Sequence, residues 1–279
     1  MAKLLKGKPV SEKIGEDIKK QIEKLKNKEI MPTLATIIVG KNPDSIAYRK
    51  MIVKKGETFG VTVINKEFSE DISQEQFEKE IRNLNLQEDI HGILLFQPLP
   101  KSLDINKIKY MIDPKKDIDG ISPINISKVF SGEKDGIPPA TSQAVMEILD
   151  FYKIPLQGKN VTVIGRSLVV GRPLAMLLLH KNATVTITHS KTINLKDISK
   201  RADIVIAALG KKEIITRDYL SEGQIVIDVG INVENGKIYG DVLFEDAEKI
   251  VDAITPVPGG VGSVTTAVLF KHLIKTISQ

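Results

Sequence analysis

The segment NVTVIGRSLVVGRPLAMLLLHK, residues 160–181, contains the residues whose types and spacing most clearly indicate chemistry. It has the pattern of a strand, a glycine-containing turn and a helix that opens at Gly171, with Pro173 in the first helical turn, where a missing N–H is tolerated. Gly165 permits a tight turn and Gly171 permits close backbone approach, while the free N–H groups of the helix start suit a pyrophosphate. The spacing G-x-S-x-x-x-G differs from the usual G-x-G-x-x-G, so this motif alone is a weak indication of a dinucleotide site.

The end of the following strand bears on which dinucleotide would bind. In NAD-specific folds an acidic residue about 20 positions further on holds the ribose 2′-hydroxyl. Here that strand ends in His189, Ser190, Lys191 and Thr192, without a carboxylate. Arg166 and Ser190 could hold a 2′-phosphate, which favours NADP over NAD. The alternative is that Arg166 and Lys191 are solvated surface charges, although their placement at two strand ends favours the first interpretation.

Later turns in this region add further candidate contacts to the cofactor. Ligands of open α/β sheets bind beyond the carboxyl ends of strands, where glycines let the backbone come close, although ordinary tight turns have the same composition. The predicted cofactor-binding residues are Gly165, Arg166, Ser167, Gly171, Arg172, Pro173, His189, Ser190, Thr192, Ala208, Gly210, Gly230, Ile231 and Asn232.

The elements that must position these residues alternate along the chain. β-branched apolar runs predict buried strands at 33–40, 61–68, 91–96, 161–165, 183–189, 202–210 and 224–230. Helical patterns lie between them, among them 10–27, 44–59, 73–84, 141–152 and 171–181. The order βαβα predicts an α/β protein with parallel sheets covered by helices.

A stretch rich in Pro, Gly and Asp between residues 98 and 140 separates two groups of strands and predicts two lobes. We expect one domain of residues 1–120 plus 263–279 and a Rossmann-like dinucleotide-binding domain of residues 121–262. The last helix follows the turn PVPGGVG and is expected to pack back on the first lobe.

Composition excludes several classes of protein. The absence of Cys excludes disulfides, and only four His leave no cluster typical of a zinc site, so we expect no metal. No apolar run approaches the ~20 residues of a membrane span, and the N-terminus lacks a secretory pattern, which predicts a cytoplasmic protein with no membrane partner. Basic residues alternate with acidic ones and aromatic residues are few, so nucleic-acid binding is not expected.

Several long motifs then occur in one order: VGKNPDSIAYRK, GILLFQPLP, PKKDIDGISPIN, GRSLVVGRP, THSKT, IDVGIN, GDV and ITPVPGGVG. On these motifs the chain resembles the methylenetetrahydrofolate dehydrogenase/cyclohydrolases over essentially its whole length. The resemblance implies NADP-dependent oxidation of 5,10-methylenetetrahydrofolate, tetrahydrofolate derivatives as substrates, a folate-binding first lobe, and a homodimer built along the nucleotide lobe.

The resemblance also implies roles for particular residues. Ser45 and Tyr48 would lie on a helix facing the ligand cleft, with Tyr48 packing against the aminobenzoate part of the folate. Asp119 matches the carboxylate that accepts hydrogen bonds from the pterin amino-pyrimidine edge, and with Tyr48 it is a catalytic-site candidate. For Asp117 we expect only a loop turn.

The turn PVPGGVG matches the loop that lines the nicotinamide and folate sites. From it the resemblance assigns substrate contacts to Pro256, Gly259, Gly260 and, at the start of the last helix, Thr265. The family more usually reads GGVGPMT, whereas this chain has Ser263 and Val264 after the last glycine. That departure affects the expected shape of the site.

A second departure concerns hydrolysis of the methenyl product. Bifunctional members have a Lys four residues after the Tyr and a Gln in the segment VQLPLP; the matching residues here are Ile52 and Phe96. Ile52 can neither accept nor donate a proton, so we expect weak or absent cyclohydrolase activity. Lys55, two helical turns beyond Tyr48, is a possible substitute base, whereas Gln97 should point to the opposite face of its strand.

Three alternatives remain at this point. The first is an ordinary bifunctional dehydrogenase/cyclohydrolase that yields 10-formyltetrahydrofolate. The second is a non-catalytic folate- or nucleotide-binding protein, and the third is another two-lobed NADP dehydrogenase. The last of these leaves the motifs KDIDG and PVPGGVG unexplained.

Overall fold

The computed structural model describes residues 1–278, which form two compact units that are both discontinuous in sequence. The first, which we call the six-stranded unit, consists of residues 1–12, 129–132 and 139–268. The second, the three-stranded unit, consists of residues 13–128, 133–138 and 269–278.

Eleven strands are present in the described residues. In chain order they are β1 (Lys3–Leu4), β2 (Thr33–Val39), β3 (Thr62–Phe68), β4 (Gly92–Leu95), β5 (Asn160–Ile164), β6 (Thr184–Thr188), β7 (Ile204–Ala207), β8 (Ile225–Asp228), β9 (Asn232–Glu234), β10 (Lys237–Tyr239) and β11 (Ala253–Ile254).

Ten α-helices and one short 3₁₀ helix, Arg217–Tyr219, connect the strands within the same described range. The α-helices are α1 (Gly7–Lys26), α2 (Pro43–Phe59), α3 (Gln74–Leu86), α4 (Ile105–Met111), α5 (Pro123–Ser131), α6 (Ala140–Phe151), α7 (Gly171–Leu179), α8 (Leu195–Lys200), α9 (Phe244–Ala247) and α10 (Val261–Ile277).

The six-stranded unit contains a wholly parallel sheet with the order β1-β11-β8-β7-β5-β6. Its central strand β7 is buried along its length because helices cover both faces of such sheets, which also explains the continuous apolar run IVIA. The hairpin of β9 and β10 is a separate antiparallel pair that follows β8. This arrangement is the predicted Rossmann-like sheet.

The three-stranded unit contains a parallel sheet with the order β3-β2-β4. Strand β2 is central and fully buried, in agreement with its sequence TLATIIV. Helix α2 begins after Asn42, whose side chain accepts the backbone N–H of Ser45 at 3.0 Å, and ends at Gly60 in the left-handed conformation. The start and the end of α2 are thus defined by its caps.

The α/β class and the return of the last helix are confirmed. In the three-stranded unit Phe270 of α10 packs edge-on against Phe59, with ring centroids 5.3 Å apart. The compact units nevertheless differ from the expected division at 120 and 263. Residues 1–12 cluster with the six-stranded unit because β1 pairs with β11, and residues 121–128 cluster with the three-stranded unit because Asp117 binds this segment.

Candidate active site

The predicted cofactor residues lie beyond the carboxyl ends of four neighbouring parallel strands. β5 ends before Gly165, β6 before His189, β7 before Ala208, and β8 two residues before Gly230. Since β6, β5, β7 and β8 are adjacent in the sheet, their following turns share one sheet edge. The structure therefore brings together the residues that were selected from four separate sequence segments, at the edge where α/β sheets bind ligands.

Two glycines allow the first of these turns to pack against its neighbours. Gly165 has a φ of +132°, and a Cβ on it would overlap the carbonyl oxygen of Ala208. A Cβ on Gly171 would overlap the carbonyl oxygen of Gly165. The start of α7 thus lies directly against the end of β5, which leaves the N-terminus of the helix beside the turn.

The polar residues of this turn are available to a ligand. Arg166, Ser167 and Arg172 are exposed, and so is Ser190 at the end of β6. The Ser167 hydroxyl accepts the backbone N–H of Val170 at 3.1 Å, which shapes the turn before α7. Exposed cationic and hydroxyl groups beside a helix N-terminus suit a phosphate-bearing ligand.

Two buried carboxylates, Asp228 in the motif IDVGIN and Asp241 in the motif GDV, organise the other turns of this edge, a role that the sequence did not predict. Asp228, at the end of β8, accepts the backbone N–H groups of Gly230, Asp241 and Val242 at 2.9–3.0 Å. Burial raises the pKa of Asp228 to about 7, despite these hydrogen bonds. The motif GDV carried the signal for Asp241, but its role depends on backbone donors that no motif displays.

The loop 256–265 also lies in the six-stranded unit. Gly259 has a φ of +103°, and its carbonyl accepts the backbone N–H of Gly7 at 2.8 Å. A Cβ on Gly260 would lie 2.5 Å from the carbonyl oxygen of Pro256, so the turn requires glycine there. The Thr265 hydroxyl is 3.3 Å from the carbonyl of Val261, one turn earlier in α10.

In the three-stranded unit, helix α2 brings two predicted residues to the end of β4. The hydroxyl of Ser45 is 3.4 Å from the carbonyl oxygen of Gln97, which is the acceptor of a weak hydrogen bond. The Tyr48 ring meets the Phe96 ring edge to face, with centroids 5.8 Å apart. Phe96 therefore contacts Tyr48, the residue that the family resemblance predicts to pack against the folate.

The two residues that depart from the hydrolytic pattern are both buried. Ile52 is 0% exposed and Phe96 is 7% exposed. Strand β4 ends at Leu95, so Phe96 and Gln97 both lie beyond it and the predicted alternation of strand faces does not apply to them; Gln97 is exposed. The Lys55 ammonium lies 5.0 Å from the ring centroid of Phe59, toward the C-terminal end of α2 and therefore away from Tyr48.

Asp119 lies in a loop that two buried groups hold in place. The carboxylate of Asp117 accepts the backbone N–H groups of Ile121 and Ser122 at 3.1 and 2.8 Å, which is the structural role expected for it. On the other side, Nδ1 of His272 donates to the carbonyl of Ile118 at 2.9 Å. Burial lowers the pKa of His272 to about 4, so the ring is neutral at pH 7.

Residues 1–278 contain neither a metal-binding cluster nor a membrane-spanning helix. No group of three or more His, Cys, Asp or Glu in this range is arranged to hold a metal ion. No helix in the same range is both long and apolar enough to cross a membrane.

Comparison with known proteins identifies the family. The profile described as "Tetrahydrofolate dehydrogenase/cyclohydrolase, catalytic domain" matches residues 5–119, and the one described as "Tetrahydrofolate dehydrogenase/cyclohydrolase, NAD(P)-binding domain" matches residues 139–279. The chain therefore belongs to the tetrahydrofolate dehydrogenase/cyclohydrolase family, and the expected nicotinamide dinucleotide domain is confirmed.

Individual relatives match over nearly their full length. The chain is 50% identical to "Bifunctional protein FolD" of Clostridium botulinum over 280 residues, covering 100% of this chain and 99% of that protein. The crystal structure of the FolD methylenetetrahydrofolate dehydrogenase/cyclohydrolase of Campylobacter jejuni superposes with a TM-score of 0.97 at 41% identity, covering 100% and 99% of the two chains. The Trypanosoma brucei dehydrogenase-cyclohydrolase, solved with NADP cofactor and inhibitor, superposes with a TM-score of 0.94 at 34% identity. The match covers 99% of this chain and 97% of that one.

Proposed function

We propose that this enzyme oxidises 5,10-methylenetetrahydrofolate with NADP⁺ and that it hydrolyses the methenyl product weakly or not at all. The observation that carries the second part is the pair Ile52 and Phe96, which are both buried and apolar. The Phe96 ring contacts Tyr48, and Ile52 follows Tyr48 by one helical turn on α2. Family membership supports the first part.

The proposed reaction breaks one C–H bond of the methylene carbon and transfers the hydrogen with its electron pair to nicotinamide C4. The 5,10-methenyl cation remains, with its charge shared by the two folate nitrogens. No proton leaves, so the step requires no general base from the protein. The protein chiefly supplies orientation.

Residues of the six-stranded unit fit the dinucleotide. The glycine-lined turn at Gly165 and the helix start at Gly171 would hold the pyrophosphate, because N–H groups and the helix dipole favour an anion there. Arg166 and Ser190 are exposed at two adjacent strand ends and would bind a 2′-phosphate. These features support NADP over NAD.

Residues of the three-stranded unit would hold the folate. Asp119 would accept two N–H groups of the pterin, in a loop held by Asp117 and His272. Tyr48 would pack against the aminobenzoate ring, with its own ring oriented by Phe96. Pro256, Gly259, Gly260 and Thr265 remain proposed folate contacts that rest on the resemblance alone.

Hydrolysis would need a group that activates water, and the chain's residues near Tyr48 are poorly suited to that task. Position 52 carries no titratable group, and position 96 carries an aromatic ring in place of an amide. The ammonium of Lys55 is engaged with Phe59. Loss of both partners together supports a dehydrogenase that releases methenyltetrahydrofolate.

The second candidate is the full bifunctional enzyme, and a specific observation favours it. The Clostridium botulinum relative, 50% identical over its whole length, is named a bifunctional protein. In that case Lys55 would have to leave Phe59 and turn toward Tyr48. A cytoplasmic location and a homodimer, both expected from the sequence, stay predictions.

One absorbance experiment with the purified enzyme separates the candidates. Methylenetetrahydrofolate is mixed with NADP⁺ or NAD⁺ while reduced nicotinamide and methenyl absorbance are followed, and methenyltetrahydrofolate alone is then added. We expect NADP⁺-preferring reduction, and methenyl decay at the spontaneous rate. The double variant Ile52→Lys, Phe96→Gln should accelerate that decay because it restores the family's water-activating pair.

A pair of variants tests the competing explanation. If the wild-type enzyme accelerates hydrolysis, the monofunctional proposal is wrong, and Lys55→Ala should abolish the acceleration. Lys54→Ala is the matched control, since Lys54 is an exposed neighbour on the same helix. Reduction of neither nicotinamide cofactor, with both ligands bound, would instead indicate a non-catalytic binding protein.

A further inference from the structure

The buried carboxylate of Asp241 is hydrogen-bonded to three successive backbone N–H groups of the turn after β7. Its Oδ2 accepts the N–H groups of Leu209 and Gly210, the latter at 3.0 Å, and its Oδ1 accepts that of Lys211 at 2.8 Å. Oδ1 also accepts the side-chain amide of Asn232 at 3.1 Å. Asp241 is 0% exposed, so these four donors replace water around a single carboxylate.

Asp228 fixes Asp241 in turn. Its carboxylate accepts the backbone N–H of Asp241 at 3.0 Å and that of Gly230 at 2.9 Å. Asp228 thus joins Asp241, which follows the β9–β10 hairpin, to the turn after β8. Two glycines make room for the pair. A Cβ on Gly230 would overlap the Asp241 carboxylate, and one on Gly240 would overlap the Asp228 carboxylate.

The segments joined in this way are the turns that follow β7 and β8. Both lie at the sheet edge that carries the predicted cofactor residues, among them Gly210 and Asn232. Neither carboxylate has an assigned part in binding, and Asp241 has no exposed surface with which to touch a ligand. Its effect must therefore act through the turns that it holds.

We propose that Asp241 is a positioning residue that preorganises the turn 209–211 and Asn232 for the nicotinamide dinucleotide. The proposal rests on the proposed function, since it assumes that this sheet edge binds NADP⁺. Preorganised turns save the ordering cost that binding would otherwise incur, so the benefit should appear in cofactor affinity.

The variant Asp241→Asn isolates the effect. Asparagine has one acceptor oxygen, so at least one pair of the four donors would face an NH₂ group that cannot accept. We expect the Kd of NADP⁺ to rise about tenfold to a hundredfold, from two lost hydrogen bonds and a less ordered turn. The KM of the folate substrate should change less than twofold, a split that a general loss of structure would not produce.

Asp203→Asn is the matched control. Asp203 also accepts a backbone N–H, that of Asn160 at 2.8 Å, but it lies where β5 and β7 begin, at the opposite edge of the same sheet. NADP⁺ binding is measured by titration calorimetry on wild type and both variants, with unfolding temperatures recorded for each. Equal weakening by the two substitutions, or unchanged binding by Asp241→Asn, would overturn the proposal. A wild-type protein that binds no NADP⁺ would instead refute the proposed function.

Hydrogen exchange on the wild-type protein keeps the proposal testable if Asp241→Asn fails to fold. The N–H groups of Leu209, Gly210 and Lys211 should already exchange slowly in the free enzyme, and NADP⁺ should slow them less than about tenfold. Fast exchange that becomes slow only when NADP⁺ binds would show that the cofactor, and not Asp241, orders the turn.

Discussion

Protonation of His272 should make the fold sensitive to acid, and a single substitution should remove that sensitivity. The ring is 3% exposed and donates Nδ1–H to the carbonyl of Ile118. Burial first, and then the charges of Lys275 and Lys271, lower its pKa from 6.5 to about 4. In the unfolded chain His272 therefore binds a proton below about pH 6.5, whereas in the folded chain it binds one only below about pH 4.

The sign and size follow from linkage between protonation and folding. Between pH 6.5 and 4 the unfolded state holds more protons, so stability falls as the pH falls through this window. A shift of about 2.5 pKa units corresponds to roughly 3 kcal/mol, of which about 2–3 kcal/mol should be lost by pH 4.5. That is a large part of the total stability of a typical domain.

The comparison is made with His272→Asn, whose amide can still donate to Ile118 but does not titrate. At pH 8 the variant should be less stable by about 1–2 kcal/mol because a smaller side chain leaves a cavity. The gap should close as the pH falls to 4.5, and the two curves should meet or cross. Urea unfolding followed by far-UV circular dichroism at several pH values measures both curves.

Subtracting the stability curve of His272→Asn from that of the wild type also removes the contribution of a group with the opposite pH dependence. Asp228 has a raised pKa of about 7, so its contribution is present below about pH 4 and is lost as the pH rises through 7. Its effect is opposite in sign to that of His272 in the same window and appears in both proteins. A difference between wild type and His272→Asn that stays constant from pH 8 to 4.5 would refute the assignment of a buried neutral His272.

Two further predictions concern the cofactor turn. Arg166→Ala should reduce the preference for NADP⁺ over NAD⁺ by about tenfold to a hundredfold in kcat/KM, because the guanidinium would no longer pair with the 2′-phosphate. Arg201→Ala serves as its control, because Arg201 is exposed and precedes β7, at the opposite edge of the sheet; an equal effect of the two substitutions would favour a general surface charge. Gly171→Ala should destabilise the protein by about 1–3 kcal/mol in thermal unfolding and raise the KM of NADP⁺, because the added Cβ overlaps the Gly165 carbonyl. Unchanged unfolding would show that α7 can shift freely.

The long buried strands were predictable because their cause is local. Runs such as TLATIIV are apolar without alternation, as parallel strands covered on both faces must be, and the observed bounds of the seven predicted strands agree within three residues. The strands β1 and β11 have two residues each, too few for any periodic signal. Because β1 pairs with β11, residues 1–12 belong to the six-stranded unit. No local sequence pattern indicates this pairing.

The residues of the candidate site likewise fall into those that the sequence could predict and those that it could not. Glycines that permit close backbone approach, such as Gly165 and Gly171, are visible in sequence because no other residue fits there. The role of Asp241 was not visible, since its partners are backbone N–H groups, which every residue except proline carries. The engagement of Lys55 with Phe59 depends on a side-chain rotamer, and spacing along a helix does not fix that.

The pairing of Lys3 with Ala253 has a consequence for synthesis of the chain. Strand β1 belongs to a sheet whose neighbouring strand, β11, is synthesised only after the nine intervening strands. The three-stranded unit likewise waits for α10, which supplies Phe270 and His272 to its interior. Domains generally fold as units during translation, N-terminal domain first. Here a nascent chain that stops near residue 250 would leave both units incomplete, so neither unit is expected to fold stably before α10 has been synthesised.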